Sequence, residues 1–310
     1  MVSRLNILKH DDQHGDTASG SREKAVQLAA GFAERATAHD RAGSFPFANF
    51  QELSDAGLLA LTVPEALGGG GAGLREAADV VSIIARADPS TALVLSMHYI
   101  QHLIIARSPR WPAHLARRLA KETVDGLALI NALRVEPDLG SPSRGGLPAT
   151  TARRTETGWR LSGRKIYSTG SPILKWYAVW AKTDEPELRV GLFLVPAGLP
   201  GTRIVETWDH IGLRASGSHD VVFDDVVFPL DHEIDVRRPD QWGRPTRSRP
   251  ARTTCSSPRS TMAWRVPHAT GWCISSTAAC RRISAHRWQP CRGCRKRSAA
   301  SKRISPSTPD

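Results

Sequence analysis

Few side chains in this sequence are spaced for chemistry, and they fall into four groups. His98 and His102 lie one helical turn apart in the apolar run 90–106, where two imidazoles could meet one metal ion. No third ligand is evident, so buried or cavity-lining histidines are the stronger expectation. Cys291-Arg-Gly-Cys294 has the spacing of a redox or zinc pair, but neither a second ligand pair nor a strand–helix setting accompanies it. Tyr167, Ser168 and Thr169 follow Gly163-Arg-Lys-Ile166, which puts one aromatic ring and two hydroxyls at a strand end. The run from Arg134 to Ser141 leaves an apolar segment through Glu136-Pro-Asp-Leu-Gly, a loop composition.

The elements that must position these residues change in kind at Gly126. Before it, apolar residues recur at helical spacing: Ala25, Leu28, Ala29, Phe32, Ala33 and Ala36 share one face. A short helix is expected over Phe47–Ala56, stopped by Gly57 at the left-handed cap position. The loop 64–73, with four consecutive glycines, reads as a permissive turn. Helices are expected over 74–87, 90–107 and 113–125, with a break at Asp88-Pro89 because proline disfavours helix at the residue before it. After Gly126 the pattern is β: segments 127–133, 150–155, 159–167, 176–182, 190–195, 203–206 and 221–228 are punctuated by Gly, Pro, Asp and Ser. The expected fold is therefore α+β, a helical domain over 21–125 followed by an antiparallel β-barrel or sandwich over 126–236. Residues 1–20 are expected to be a flexible N-terminus.

Charge divides the chain a second time. Residues 237–310 hold 17 of the 42 Lys and Arg but two of the 30 acids, Asp240 and Asp310. The body before them carries 25 basic against 28 acidic residues, so the net +12 resides in the tail. The body has no basic footprint for specific nucleic-acid recognition. All five cysteines also lie in the tail (Cys255, Cys273, Cys280, Cys291 and Cys294), and a cysteine-free body fits a cytoplasmic protein. The first residues show no signal-peptide core, and the run 90–106 is short for a membrane span and carries His98, Gln101 and His102.

Four segments taken in order resemble the acyl-CoA dehydrogenase family: Thr62-Val-Pro-Glu-Ala-Leu-Gly-Gly-Gly-Gly-Ala-Gly73, Glu136-Pro-Asp-Leu-Gly-Ser141, Gly163-Arg-Lys-Ile-Tyr-Ser-Thr-Gly170, and Gly212-Leu-Arg-Ala-Ser-Gly217 with Val221-Val-Phe-Asp-Asp-Val-Val-Phe-Pro229. Each is weak alone; order and spacing on a helical-then-β background make them specific. The resemblance covers about three-quarters of the chain and implies a flavin cofactor, FAD, with a small-molecule acyl-CoA substrate. Its reaction removes a proton and passes a hydride to flavin N5. It places Arg134 and Val135 beside the flavin ring, whose polar edge needs backbone N–H donors to stabilise charge on reduction. Ser141 is placed near both flavin and substrate, Tyr167 on the ring face, and Ser168 and Thr169 at its edge. The glycine-rich loop comes near the active-site entrance.

Two departures stand out. Val135 replaces a threonine of the family pattern, and Pro142 replaces an acidic residue after Gly-Ser. These lean toward the flavin-dependent sulfur-compound monooxygenases of the same superfamily, with FMN as cofactor, an organosulfur substrate, and His98 lining the substrate cavity. A third expectation, from a different class, is a non-enzymatic scaffold whose basic tail neutralises nucleic-acid phosphates without sequence preference.

The family continues after its β domain into a four-helix bundle that supplies the catalytic base and part of the cofactor contacts, and its members form homotetramers or dimers. Nothing after Asp240 is similar to that bundle. The tail is rich in Arg, Ser, Pro, Cys and Trp without periodicity, so a non-native, unstructured segment is expected. Built one base out of frame, the codons of 254–276 permit a long apolar-rich string. A frameshift beginning between Pro239 and Thr246 is thus expected to have removed the bundle, with its catalytic base, and to impair flavin binding and turnover.

Overall fold

A computed structural model describes residues 14–138 and 146–242, with side chains from Gly20 onward. Five helices come first: α1 (His14–Ala42), α2 (Phe47–Asp55), α3 (Leu74–Ala87), α4 (Pro89–Arg107) and α5 (Ala113–Asp125). Eight strands follow: β1 (Leu129–Leu133), β2 (Thr151–Arg154), β3 (Trp159–Lys165), β4 (Leu174–Thr183), β5 (Val190–Pro196), β6 (Thr202–Val205), β7 (Asp220–Phe228) and β8 (Glu233–Arg237). The expected helices and seven expected strands are all present. β8, which pairs antiparallel with β5, has no counterpart among the sequence expectations.

Local chemistry explains the helix ends. Gly57 takes φ +74°, the left-handed stop after α2. Asp88 caps α4, its carboxylate accepting from the backbone N–H of Ser90 (2.9 Å) and Thr91 (3.2 Å), while Pro89 fills the first helical position where no N–H is needed. The 64–73 turn folds back so tightly that a Cβ on Gly69 would lie 2.3 Å from the Val63 carbonyl oxygen. Only glycine fits there.

The strands form one sheet in the order β6-β7-β3-β2-β4-β5-β8, with β1 also beside β4. The sheet is mixed: β1 and β2 both run parallel to β4, and the other pairings are antiparallel. This modifies the expectation of an all-antiparallel domain, and the register gives the reason. β1 pairs with β4 from Leu129↔Leu174 to Leu133↔Val179, and β2 resumes at Thr151↔Lys182 in the same direction. β1 and β2 thus act as one interrupted strand. The interruption, between Leu133 and Thr151, lies opposite Trp180 and Ala181.

Both faces of the central strands are covered, which is why β4 reads Trp-Tyr-Ala-Val-Trp-Ala instead of alternating. One face shares a core with α1 to α4, including Phe32, Phe50, Val80, Leu95, Tyr99, Tyr177, Val179 and Phe193. The other packs Trp176, Ala178 and Trp180 with Leu115 and Leu119 of α5. Among the described residues, no helix is long and apolar enough to cross a membrane.

Candidate functional site

Two segments flagged by the sequence meet at the ends of β1 and β3. Tyr167 follows β3 with φ +55°, a left-handed conformation that costs a non-glycine residue about 1–2 kcal/mol. Backbone bonds hold it there. The Ser168 N–H donates to the His219 carbonyl (3.0 Å), Gly170 N–H to Ser216 (3.0 Å) and Ser171 N–H to Gly217 (3.1 Å), so the turn 167–171 is laced to the loop 216–219. Strain sustained by surrounding structure is a mark of functional positions. The result is an aromatic ring 53% exposed on a rigid base.

Two more aromatic rings lie against Tyr167. Trp208 and His210 stack on each other at 3.8 Å and 13°. Tyr167 meets Trp208 at 6.1 Å and 89°, and His210 at 6.0 Å and 81°, both edge-to-face. The Trp208 indole N–H donates to the Leu213 carbonyl at 2.9 Å, which fixes that ring. Neither Trp208 nor His210 was singled out by the sequence reading. The signal available was their place in Trp208-Asp-His-Ile-Gly-Leu-Arg214, directly before the Gly-Leu-Arg-Ala-Ser-Gly motif.

Thr169 and Ser168 diverge in role. The Thr169 hydroxyl is part-buried and bonds Ser218 Oγ at 3.0 Å, with Ser218 and Ser216 hydroxyls 2.8 Å apart. The Ser168 side chain is buried, and its Oγ has no partner among the described residues. Asn131 of β1 donates to the Thr169 carbonyl at 3.0 Å, tying β1 to the turn.

On the other segment, the Arg134 side chain extends over the Trp180 ring, 5.6 Å from its centroid. Val135 beside it is half-buried. The Ile166 N–H donates to the Val135 carbonyl at 3.0 Å, joining the two segments. Ser141 and Pro142 lie outside the described residues, as does the tail with Cys291 and Cys294.

Beneath this junction is a buried ion pair that the sequence reading missed. Lys165 Nζ lies 2.6 Å from Glu136 Oε1 and donates at 2.5 Å to the Trp180 carbonyl. The two side chains are 0% and 2% exposed. Glu136 also accepts the N–H of Ala149 (2.6 Å) and of Thr150 (3.0 Å). Burial pushes the Lys165 ammonium down to about 8, against the bond and charge of Glu136, which raise it. Burial alone would raise the Glu136 carboxyl, yet the bonds from Lys165, Thr150 and Ala149 and the lysine charge hold it below the usual carboxylate range.

His98 departs from the expectation of a cavity-lining residue. Its ring is fully buried, with Nε2 3.0 Å from the Leu59 carbonyl and Nδ1 accepting the Ile130 N–H at 3.2 Å. Both nitrogens are committed to backbone, so none is left to meet a substrate. Burial depresses its pKa to about 4, partly opposed by the Leu59 bond. His102 is also buried, and burial followed by the neighbouring His98 lowers its pKa. Among the described residues no group of three or more His, Cys, Asp or Glu could hold a metal ion.

The helical layer and the interrupted sheet together make a helical domain followed by a mixed-sheet domain. Residues 20–108 match the acyl-CoA dehydrogenase N-terminal domain and residues 134–226 its middle domain, and the chain belongs to the acyl-CoA dehydrogenase family. YdbM of Bacillus subtilis is 34% identical over 223 residues, 72% of this chain and 58% of that protein. Amino sugar nitrososynthase RubN8 of Streptomyces rubradiris is 34% identical over 203 residues, covering 63% of this chain and 46% of that one. Among solved structures, KijD3 in complex with FMN and dTDP-3-amino-2,3,6-trideoxy-4-keto-3-methyl-D-glucose aligns with TM-score 0.65 and 31% identity, over 72% of this chain and 55% of that one. The chain thus spans about half the length of the relatives it matches. The family's members are flavin-dependent oxidoreductases.

Proposed function

We propose that this chain carries the ring-holding half of a flavin-dependent oxidoreductase site, with the flavin ring seated against Tyr167. The observation that carries this reading is the Tyr167 turn: an exposed ring, held in a strained conformation and buttressed edge-on by a stacked Trp208–His210 pair. Exposed aromatic surface on a rigid base suits a planar tricyclic ring. When bound, flavin supplies a hydride acceptor at N5. The chain's own residues do the rest of what can be assigned. Tyr167 offers an aromatic face, and Thr169 Oγ1, already paired with Ser218, has capacity for one further hydrogen bond at the ring edge. The backbone N–H groups of Arg134 and Val135 would stabilise charge on the reduced ring. The family resemblance adds Ser141, shared with the substrate, while the buried side chain of Ser168 leaves that residue only its backbone to offer the ring.

The reaction proposed first is α,β-dehydrogenation of an acyl-CoA. A second reading, oxygen-dependent oxidation of a small molecule by reduced flavin, is favoured by Val135 and by the likeness to KijD3 and RubN8, which points to an amino sugar as readily as to an organosulfur compound. Titration with FMN and FAD, followed by quenching of flavin fluorescence, tests the site; unquenched flavin would overturn it. In a frame-restored full-length protein, anaerobic bleaching by acyl-CoAs supports dehydrogenation, and oxygen uptake with substrate and supplied reduced flavin supports oxidation. We further infer that the frame changes near 239–246. Resequencing the gene tests this, and restoring the frame is expected to tighten flavin binding.

A further inference from the structure

We propose that Glu136 and Lys165 are a positioning pair that sets the spacing between the two flavin-facing segments, 134–135 and 167–169. This inference rests on the reading of the site given above, and it starts from the interruption between β1 and β2. A parallel strand beside β4 normally occupies every carbonyl on that edge. Where β1 stops at Leu133 and β2 resumes at Thr151, the Trp180 carbonyl has no strand opposite it. Lys165 Nζ fills that place at 2.5 Å. Its charge is met by Glu136 at 2.6 Å, and the same carboxylate takes the N–H groups of Ala149 and Thr150.

One ion pair therefore stands in for a missing stretch of ladder and ties Glu136 to Ala149 and Thr150 across the interruption. Its two members sit one and two residues from the proposed flavin contacts. Glu136 directly follows Val135, and Lys165 is two residues before Tyr167. The Ile166 N–H to Val135 carbonyl bond lies between them. Moving either side chain displaces both segments together. No other charged side chain meets the pair within hydrogen-bonding distance among the described residues. A pair kept only for stability would be an uneconomical choice, because a buried ion pair stabilises little more than apolar residues of equal volume. Its worth lies in geometry, since neither partner can shift without stranding the other's charge.

The double variant Glu136→Gln with Lys165→Met separates positioning from folding. It removes both charges, keeps similar volumes, and lets the glutamine carbonyl still accept one backbone N–H. The full chain and this variant are compared by thermal unfolding, amide hydrogen exchange, and titration with FMN and FAD followed by flavin fluorescence and visible absorption. The variant is expected to remain folded, to exchange at least tenfold faster at Ile166, Ala149 and Thr150, and to bind flavin at least tenfold more weakly with a shifted visible band. Faster exchange with unchanged flavin affinity and spectrum would overturn the positioning role, as would exchange at those amides equal to the parent chain. Should the double variant fail to fold, Lys165→Arg, which keeps the charge but not the reach, gives the same two readouts. A parent chain that leaves both flavins unquenched overturns the functional reading itself, and the exchange measurement then stands alone as the test of the pair's grip on the two segments.

Discussion

Buried polar groups occur in both the helical and the β region, but they differ in what they support. In the helices they bond chiefly to one another and to backbone. Asn49 donates to Asp88 (3.1 Å) and Thr91 (2.9 Å), Asp88 caps α4, and His98 bridges the Leu59 carbonyl to the Ile130 N–H. Their partners are backbone and core residues, apart from Arg35 at the rim, which donates to the Asn49 side-chain oxygen at 2.9 Å. At the strand ends the Glu136–Lys165 pair is also closed by backbone, but it lies beneath an exposed aromatic turn and a segment proposed to face the flavin. The first arrangement locks a scaffold, and the second aims one. Disturbing the helical set should therefore change stability alone, whereas disturbing the strand-end set should change both stability and flavin binding.

The largest effect is expected at the strand ends. Lys165→Ala leaves the Glu136 carboxylate buried with no cation, and breaking one side of a buried pair costs about 3–5 kcal/mol. Urea unfolding of the full chain checks this. A loss well under about 1 kcal/mol would mean that solvent enters the junction, and the contrast between the two regions would then fail.

Acid should act next, and in the helical region. His98 titrates at about 4 in the folded chain against an ordinary 6.5, because burial disfavours the charged ring. The unfolded chain therefore binds the extra proton first. The stability from a neutral His98 is fully present above about pH 6.5 and is lost as pH falls through 6.5 toward 4, a window worth about 3 kcal/mol at its limit. Unfolding followed from pH 7 to pH 4.5 should show this loss, and His98→Gln should flatten it. Flavin affinity per folded molecule should not follow the same curve. If it does, His98 belongs to the site after all.

Asp88→Ala is expected to cost about 2 kcal/mol, because it removes the α4 cap and one of the two acceptors of the Asn49 amide. Thermal unfolding would register it, again with flavin affinity unchanged.

Much of the fold was legible because its signals are local. The period of Ala25, Leu28 and Phe32, the Asp88-Pro89 break and the Gly57 stop are each set within a few residues, and α3 was placed to its ends. The parallel pairing of β1 and β2 was not legible, because it depends on both strands meeting β4 from one side, and no local pattern encodes that. The site divided along the same line. Tyr167 and Thr169 could be singled out from a contiguous motif. Lys165 and Glu136 stand within two quoted motifs, yet their pairing spans 29 positions and shows only when the sheet closes. For His98 the buried alternative holds over the cavity-lining one, because helical spacing identifies a face but only packing shows that Leu59 and Ile130 take both its nitrogens.

The smallest effect in stability should be the most informative about function. Tyr167 holds φ +55°, where glycine carries no Cβ penalty. Tyr167→Gly relieves about 1 kcal/mol of backbone strain and loses a ring that is 53% exposed and contributes little burial, so the melting temperature should stay level or rise slightly. Flavin quenching should nevertheless fall sharply, since the variant removes the face on which the ring is proposed to sit. Tyr167→Ala keeps the strain and loses the face, and it should lose stability as well as flavin. A glycine variant that binds flavin as tightly as the parent would detach the strained turn from cofactor binding. The aromatic trio would then be a surface ornament of the loop, and the outward-aimed half of the comparison would reduce to the Glu136–Lys165 junction.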